Sequence, residues 1–129
     1  MTVEVIGVDH IFVTVRDLRR SEEFYDRVMA ILGFRKGEGT IGSDPHLFYY
    51  NRQFVYSLRP AREGAPGHDP YAPGLHHLCF RVVDEAAVDR AARELREAGS
   101  RPRSRATTRS TPRTTSLRSS RTRTVYGWR

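Results

Sequence analysis

The sequence predicts an α+β protein built from two related strand–helix modules, and a repeated phrase carries that prediction. Residues 10–17 read HIFVTVRD and residues 77–84 read HLCFRVVD, so a histidine, an apolar-rich strand and an aspartate recur in the same order. After each aspartate, a helical pattern runs to a glycine, Gly33 in the first copy and Gly99 in the second. We therefore expect a duplicated fold whose two histidines occupy equivalent positions.

The first module begins with a strand over residues 8–16, in which apolar side chains alternate with polar and aromatic ones. The face that carries Ile11 and Val13 should pack on helices, and the face that carries His10 should line a pocket. Asp17 is the expected N-cap of a helix that ends at Gly33. The rest of the module is predicted as a short strand over residues 34–36 and a glycine-rich turn over residues 37–44. Two closely joined strands follow, over residues 46–50 and 54–59.

The second module repeats this beginning. Residues 60–74 are rich in proline and glycine and predict a loop. His77 has the same strand parity as His10, and Asp84 caps a second helix that ends at Gly99. We expect one domain. It comprises a first module (6–60), a linker loop (61–74), a second module (75–100) and a basic tail (101–129).

The net charge of +7 comes from the tail. Residues 1–100 hold 13 Lys and Arg against 15 Asp and Glu, whereas residues 101–129 hold nine Arg and no acidic residue. Nucleic-acid binding is not favoured, because the Arg/Ser/Thr-rich run of the tail, residues 101–124, has no interleaved aromatic residues and no recognisable binding motif. The chain has no apolar run long enough to span a membrane. With a single cysteine and no signal-like start, a cytoplasmic protein is expected.

Two long phrases resemble the vicinal-oxygen-chelate superfamily, which contains glyoxalase I, bleomycin-resistance proteins and extradiol dioxygenases. They are GVDHIFVTVRDLRRSEEFYDRVMAILGF and YAPGLHHLCFRVVDEAAVDRAARELREAG, within residues 6–100. The resemblance implies paired βαβββ modules that form a cup-shaped mixed sheet with the helices outside, the second module being incomplete here. It also implies a homodimer and a small substrate with vicinal oxygens.

The same resemblance implies a divalent metal, Fe, Mn, Zn or Ni, with His10 and His77 as two ligands. The third ligand of the family is a Glu in a closing motif, and no acidic residue follows Glu97. A fourth ligand found in glyoxalase I has no counterpart in FVYSLRP, which argues against that reaction. Three hypotheses stay open: a metal-dependent lyase, dioxygenase or ring-opening enzyme, a metal-free binding protein of the bleomycin-resistance kind, and an inactive product.

Other side chains of the pocket-forming strands are candidates for catalysis. Tyr49, Tyr56 and Arg59, together with His46, could orient a substrate or exchange a proton with it. The alternative for the aromatic members is half-buried packing. Asp17 and Asp84 are expected to cap helices, and His76 and Cys79 are expected to pack. Arg16 and Arg81 should lie at the pocket rim, where an arginine could hold an anion.

The basic tail has a second interpretation at the level of codons. Residues 121–129 can be encoded AGG ACC CGG ACG GTN TAC GGC TGG AGG. One added G and a new reading frame give Glu-Asp-Pro-Asp-Gly, an aliphatic residue and Arg-Leu-Glu, which is the missing closing motif with its Glu. The same frame permits Tyr-Tyr-Val-Ala-x-x-Phe-Glu over residues 114–121. We therefore hypothesise a frame change that begins near residues 103–104. If the written tail is real, its composition favours disorder and poor solubility.

Overall fold

The chain forms two compact units, Met1–Asp69 and Pro70–Arg129, and the boundary falls inside the predicted linker. The computed structural model describes residues 1–99 and the backbone of residues 123–125. The predicted α+β class is confirmed. The elements in chain order are β1 His10–Val15, α1 Leu18–Ile31, β2 Arg35–Ile41, β3 Asp44–Tyr50, β4 Val55–Pro60, β5 Phe80–Val82, α2 Glu85–Glu97 and β6 Arg123–Val125.

The first unit contains a four-stranded mixed sheet with the strand order β1-β4-β3-β2. Strand β1 pairs parallel with β4, and β3 pairs antiparallel with both β4 and β2. Helix α1 connects β1 to β2, so the unit has the predicted βαβββ order. Asp17 caps α1 as expected, because its carboxylate accepts a hydrogen bond from the backbone N–H of Arg20 at 2.9 Å.

One segment of the first module differs from the prediction. Residues 37–44 were expected to be a turn, but the strand β2 runs through Gly37 and Gly39 to Ile41. Aromatic rings of β3 cover these glycines: a Cβ on Gly39 would lie 3.1 Å from Cε2 of Phe48. Rings that cross from a neighbouring strand compensate for the missing glycine side chains and make a glycine-rich strand stable.

The core of the first unit lies between α1 and one face of the sheet. Leu58 in β4 is fully buried, and Val28 and Met29 of α1 are 2% and 1% exposed. Ile11 and Val13 of β1 are more buried than the residues between them, which confirms the predicted alternation. We call this side of the sheet the helix face and the opposite side the His10 face.

The second unit begins with an irregular segment and a strand shorter than predicted. His77 precedes β5, which starts only at Phe80 and pairs antiparallel with β6. The Asp84 carboxylate accepts a hydrogen bond from the backbone N–H of Ala87 at 2.7 Å and caps α2. The predicted frame change and closing Glu lie outside the described residues. In the described part of the chain, no helix combines the length and hydropathy that a membrane span requires.

Candidate functional site

The register of the first sheet assigns every strand residue to a face. Side chains alternate along a strand, and paired residues on neighbouring strands share a face. Three rows of the His10 face follow from the pairing. The first row contains His10, Val55, Tyr50 and Arg35. The second row contains Phe12, Ser57, Phe48 and Gly37. The third row contains two pairs, Thr14 with Arg59 and His46 with Gly39.

His10 lies at the start of β1 with its imidazole exposed. Its Nδ1 atom is 2.8 Å from Oδ2 of Asp9, and its ring meets that of Phe12 edge-on at a centroid distance of 5.4 Å. When the Nδ1 proton is donated to that carboxylate, the lone pair lies on Nε2. A histidine held in this way by a carboxylate is the usual form of a metal-ligating histidine. In that tautomer, Nε2 of His10 is left for another partner.

His46 is a packed residue of the same face. It is 3% exposed, its ring stacks on Phe48 at 5.9 Å, and it meets Phe12 edge-on at 5.8 Å. Its Nδ1–H donates to the backbone carbonyl of Asp44 at 2.9 Å. The three rings make the middle of this face aromatic. Beneath them, Ser57 is fully buried, and its hydroxyl has no hydrogen-bond partner among the described residues.

Arg59 is the predicted catalytic residue that shares a face with His10. Its Nη2 donates to Oδ2 of Asp44 at 3.1 Å. Its Nε is buried and has no hydrogen-bond partner in the part of the chain that the structure describes. One edge of the guanidinium is thus engaged by the Asp44 carboxylate, and the unsatisfied Nε–H is enclosed by the protein rather than open to a ligand.

Tyr49 and Tyr56 lie on the helix face, opposite His10. Tyr49 is 1% exposed and its hydroxyl donates to Oδ1 of Asp26 on α1 at 2.7 Å. Tyr56 is 7% exposed, and its hydroxyl is 3.2 Å from that of Tyr25, also on α1. These tyrosines attach the helix to the sheet, so a catalytic role beside His10 does not fit their position. Their position fits the alternative, in which both rings are packing residues.

The two buried phenols predict a loss of stability at alkaline pH. Burial raises the pKa of both Tyr49 and Tyr56 above the ordinary value of about 10. The unfolded chain therefore releases these protons at lower pH than the folded chain does. We expect the free energy of unfolding to be steady up to about pH 9 and to fall above about pH 10, by up to about 1.4 kcal/mol per pH unit for each phenol.

Tyr56→Phe should remove one phenol's share of that fall, and Tyr71→Phe, at a side chain 93% exposed, is the matched control. Urea unfolding at a series of pH values from about 8 to 11 measures the effect. Identical pH profiles for Tyr56→Phe and the parent protein would contradict the assignment.

A charged cluster on α1 and β2 was missed by the sequence analysis. The Lys36 ammonium donates to Glu22 and also contacts Asp26 at 3.1 Å and Glu38 at 3.4 Å. The hydrogen bond to Glu22 is the main cause of a raised Lys36 pKa. The i, i+4 spacing of Glu22 and Asp26 was a visible signal, but their meeting with Lys36 depends on how the helix returns to the sheet.

The second unit holds the other predicted ligand. His77 is exposed, and its Nδ1 lies 2.8 Å from Nδ1 of His76, so one ring donates to the other. Cys79 is half-buried and Arg81 is exposed, in agreement with packing and rim roles. Within the described residues, no three His, Cys, Asp or Glu side chains are grouped so that they could hold a metal ion.

Comparison with known proteins gives one family. The sequence model of the Glyoxalase/Bleomycin resistance protein/Dioxygenase superfamily matches residues 7–117. No curated protein matches the chain. A glyoxylase/bleomycin resistance protein/dioxygenase domain from Frankia sp. EAN1pec is a similar solved structure, with 26% identity and a TM-score of 0.60 over 74% of this chain and 76% of that one.

A second solved structure, of a candidate glyoxalase from Bacillus halodurans, is similar in fold. It has 21% identity and a TM-score of 0.57, and the match covers 71% of this chain and 68% of that one. This likeness shows the fold alone. The predicted resemblance is thus confirmed at the level of fold and superfamily.

Proposed function

The chain belongs to the Glyoxalase/Bleomycin resistance protein/Dioxygenase superfamily, and we propose that the protein is a metal-dependent enzyme that acts on a small molecule with vicinal oxygens. The His10 face of the first unit is the proposed binding surface. The reaction class is a lyase, dioxygenase or ring-opening reaction. The proposed metal ligands of the first and second modules are His10 and His77.

The observation that carries this proposal is the environment of His10. Its Nδ1 is engaged by the Asp9 carboxylate, which leaves Nε2 for a ligand bond. The same face carries the rings of Phe12 and His46 and a guanidinium donor on Arg59. Apolar rings beside a few directed polar groups are typical of small-molecule sites.

The described residues fit the metal only in part. His10 has a suitable nitrogen, but no group of three donors occurs among the described residues. We therefore assign no reaction step to a metal in this chain. A divalent ion bound by two imidazoles and a carboxylate would polarise the vicinal oxygens of a substrate. Arg59, whose side chain is 36% exposed, would orient the substrate through the exposed part of its guanidinium.

We propose further that the missing carboxylate is encoded in a second reading frame. The codons permitted for residues 121–129 contain the closing motif, with its Glu, after the insertion of one base. We call the protein translated in that frame from residues 103–104 onward the frame-restored protein. Its extra strands and carboxylate would complete the second module.

Intact mass and nucleotide sequence test the frame change. If the cell makes the frame-restored protein, its measured mass differs from the 14.8 kDa calculated for the 129-residue chain. A natural product whose mass equals that of the 129-residue chain would show a real lesion and support the inactive product. The same sample then serves for metal analysis.

A metal-free binding protein is the second candidate function. The aromatic centre of the His10 face favours it, since Phe12 is 46% exposed there and its ring could stack on a flat ligand. Metal content distinguishes the candidates in a sample of verified mass. One divalent ion per chain, lost in both His10→Ala and His77→Ala, supports the enzyme. A metal-free protein that binds a planar ligand, and loses it in Phe12→Ala, supports the binding protein.

A further inference from the structure

An open pocket lies at the end of the first sheet where the turn between β3 and β4 meets the end of α1. Its volume is about 400 Å³. No acidic residue is among the side chains that line it. The lining consists of Gly33, Arg35, Tyr50, Asn51, Arg52 and Gln53.

Two arginines of this pocket have no carboxylate partner. Arg35 and Arg52 are exposed, and neither makes an ion pair with another described residue. Lys36 and Arg59 are paired with acidic side chains, whereas the other arginines described in this unit make no ion pair, so the two pocket arginines are distinguished by their shared position. The unit is nearly neutral, with nine Lys and Arg against ten Asp and Glu in residues 1–69. A local excess of two positive charges therefore stands in a pocket rather than on a generally basic surface.

The turn that presents Arg52 is held in a fixed shape. The Asn51 side-chain oxygen accepts hydrogen bonds from the backbone N–H groups of Gln53 at 2.8 Å and Phe54 at 3.2 Å. That leaves the Asn51 carboxamide NH₂ as a donor. Gly33 has a φ of 80°, where any other residue is strained. Pocket shape is thus set by local hydrogen bonds and by one glycine.

An aromatic surface accompanies the charges. Tyr50 is 39% exposed, and its ring lies against the backbone of β2, with Cε1 3.4 Å from the position of a Cβ on Gly37. Arg35 is the register partner of Tyr50, so both belong to the His10 face. An apolar part of a ligand could rest on this ring while its charged end meets the guanidinium groups.

We propose that this pocket binds the anionic group, phosphate or carboxylate, of a small aromatic or apolar molecule. Guanidinium groups hold such anions through paired, charge-assisted hydrogen bonds. The anion site goes beyond the proposed function and needs no metal at His10. His10 and Arg35 end the same row of the sheet, about 14 Å apart at ordinary strand spacing. A ligand long enough to contact both His10 and Arg35 would be the substrate of the proposed enzyme. Only this connection between the anion site and His10 rests on the proposed function.

Phenyl phosphate is the probe for this site, and calorimetric titration of the full chain is the measurement. Treatment of the protein with a chelator, which is removed by dialysis before the titration, makes the result independent of any metal site. We expect saturable binding that weakens about tenfold or more in Arg35→Gln and in Arg52→Gln, because each removes a charge-assisted hydrogen bond. Arg19→Gln, which removes the same charge from the first turn of α1, should bind like the parent. Arg52→Lys should retain part of the affinity.

Two further titrations identify the chemistry. Tyr50→Ala should weaken phenyl phosphate but leave inorganic phosphate unchanged. Comparison of phenyl phosphate with benzoate tells whether phosphate or carboxylate is preferred. Absence of saturable binding to both compounds would overturn the proposal. Unchanged affinity in Arg35→Gln and Arg52→Gln would also overturn it. If these variants in addition unfold at a lower urea concentration, the arginines stabilise the fold by interacting with the carbonyl end of α1 and do not bind an anion.

Discussion

His10→Ala is expected to lower the affinity of the frame-restored protein for Mn²⁺ or Zn²⁺ by more than about 100-fold. The substitution removes the imidazole whose Nε2 is left for the metal by the contact between Nδ1 and Asp9. Loss of a ligand should cost more than loss of the group that orients it, and the latter costs about 10- to 100-fold. Competition with a chromophoric chelator measures the affinity.

Asp9→Asn separates the ligand from its orienting group. It should lower metal affinity by about 10- to 100-fold, less than His10→Ala, because the ring remains. His68→Ala removes an exposed histidine of the predicted linker loop and serves as the control. Metal affinity that is equal in His10→Ala and His68→Ala would exclude His10 as a ligand.

Leu58→Ala is expected to lower the free energy of unfolding by about 3 to 5 kcal/mol, the usual cost of a cavity in a packed core. Leu58 is fully buried on the helix face and is the register partner of Leu47, which is 5% exposed. Because domains of this size are stable by only about 5 to 15 kcal/mol, this cost is a large fraction of the total free energy of unfolding.

Ile41→Ala is the matched control, since Ile41 is 51% exposed at the end of β2. It should cost less than about 1 kcal/mol, because little of its surface is removed from water on folding. Urea unfolding with the slope held common to all variants gives both values. A Leu58→Ala cost no larger than that of Ile41→Ala would place Leu58 outside the core.

The elements that the sequence predicts well are those with a local cause. Alternation in residues 10–15 predicts which side of β1 is buried, and Asp17 and Asp84 are N-caps because a carboxylate near the backbone N–H groups needs no distant partner. The family resemblance also rests on local phrases. Fold class and superfamily could therefore be predicted before any tertiary contact was known.

The parity of β3 and β4 could not be predicted in this way. His46, Phe48 and Tyr50 lie on one face of β3, and Leu47 and Tyr49 lie on the other. Both faces carry aromatic residues, so alternation alone does not say which one meets the helix. The assignment of Tyr49 and Tyr56 to the pocket failed for this reason.

Non-local contacts account for the rest. The extension of β2 through residues 37–41 was missed because its glycines are covered by rings from β3, which a sequence window does not contain. The cluster around Lys36 and the pocket of Arg35 and Arg52 depend on the same strand register. The metal, the homodimer and the ligand role of His77 stay predictions.

Metal content of the frame-restored protein, measured beside that of the 129-residue chain, decides whether the closing carboxylate lies in the second frame. Both proteins are expressed with the same metal supplement, purified without chelators and analysed for elements after their masses are verified. We expect one divalent ion per chain in the frame-restored protein and far less than one in the 129-residue chain. Equal metal content in the two, whether zero or one ion per chain, would contradict the proposal that the second frame supplies the third ligand to His10 and His77.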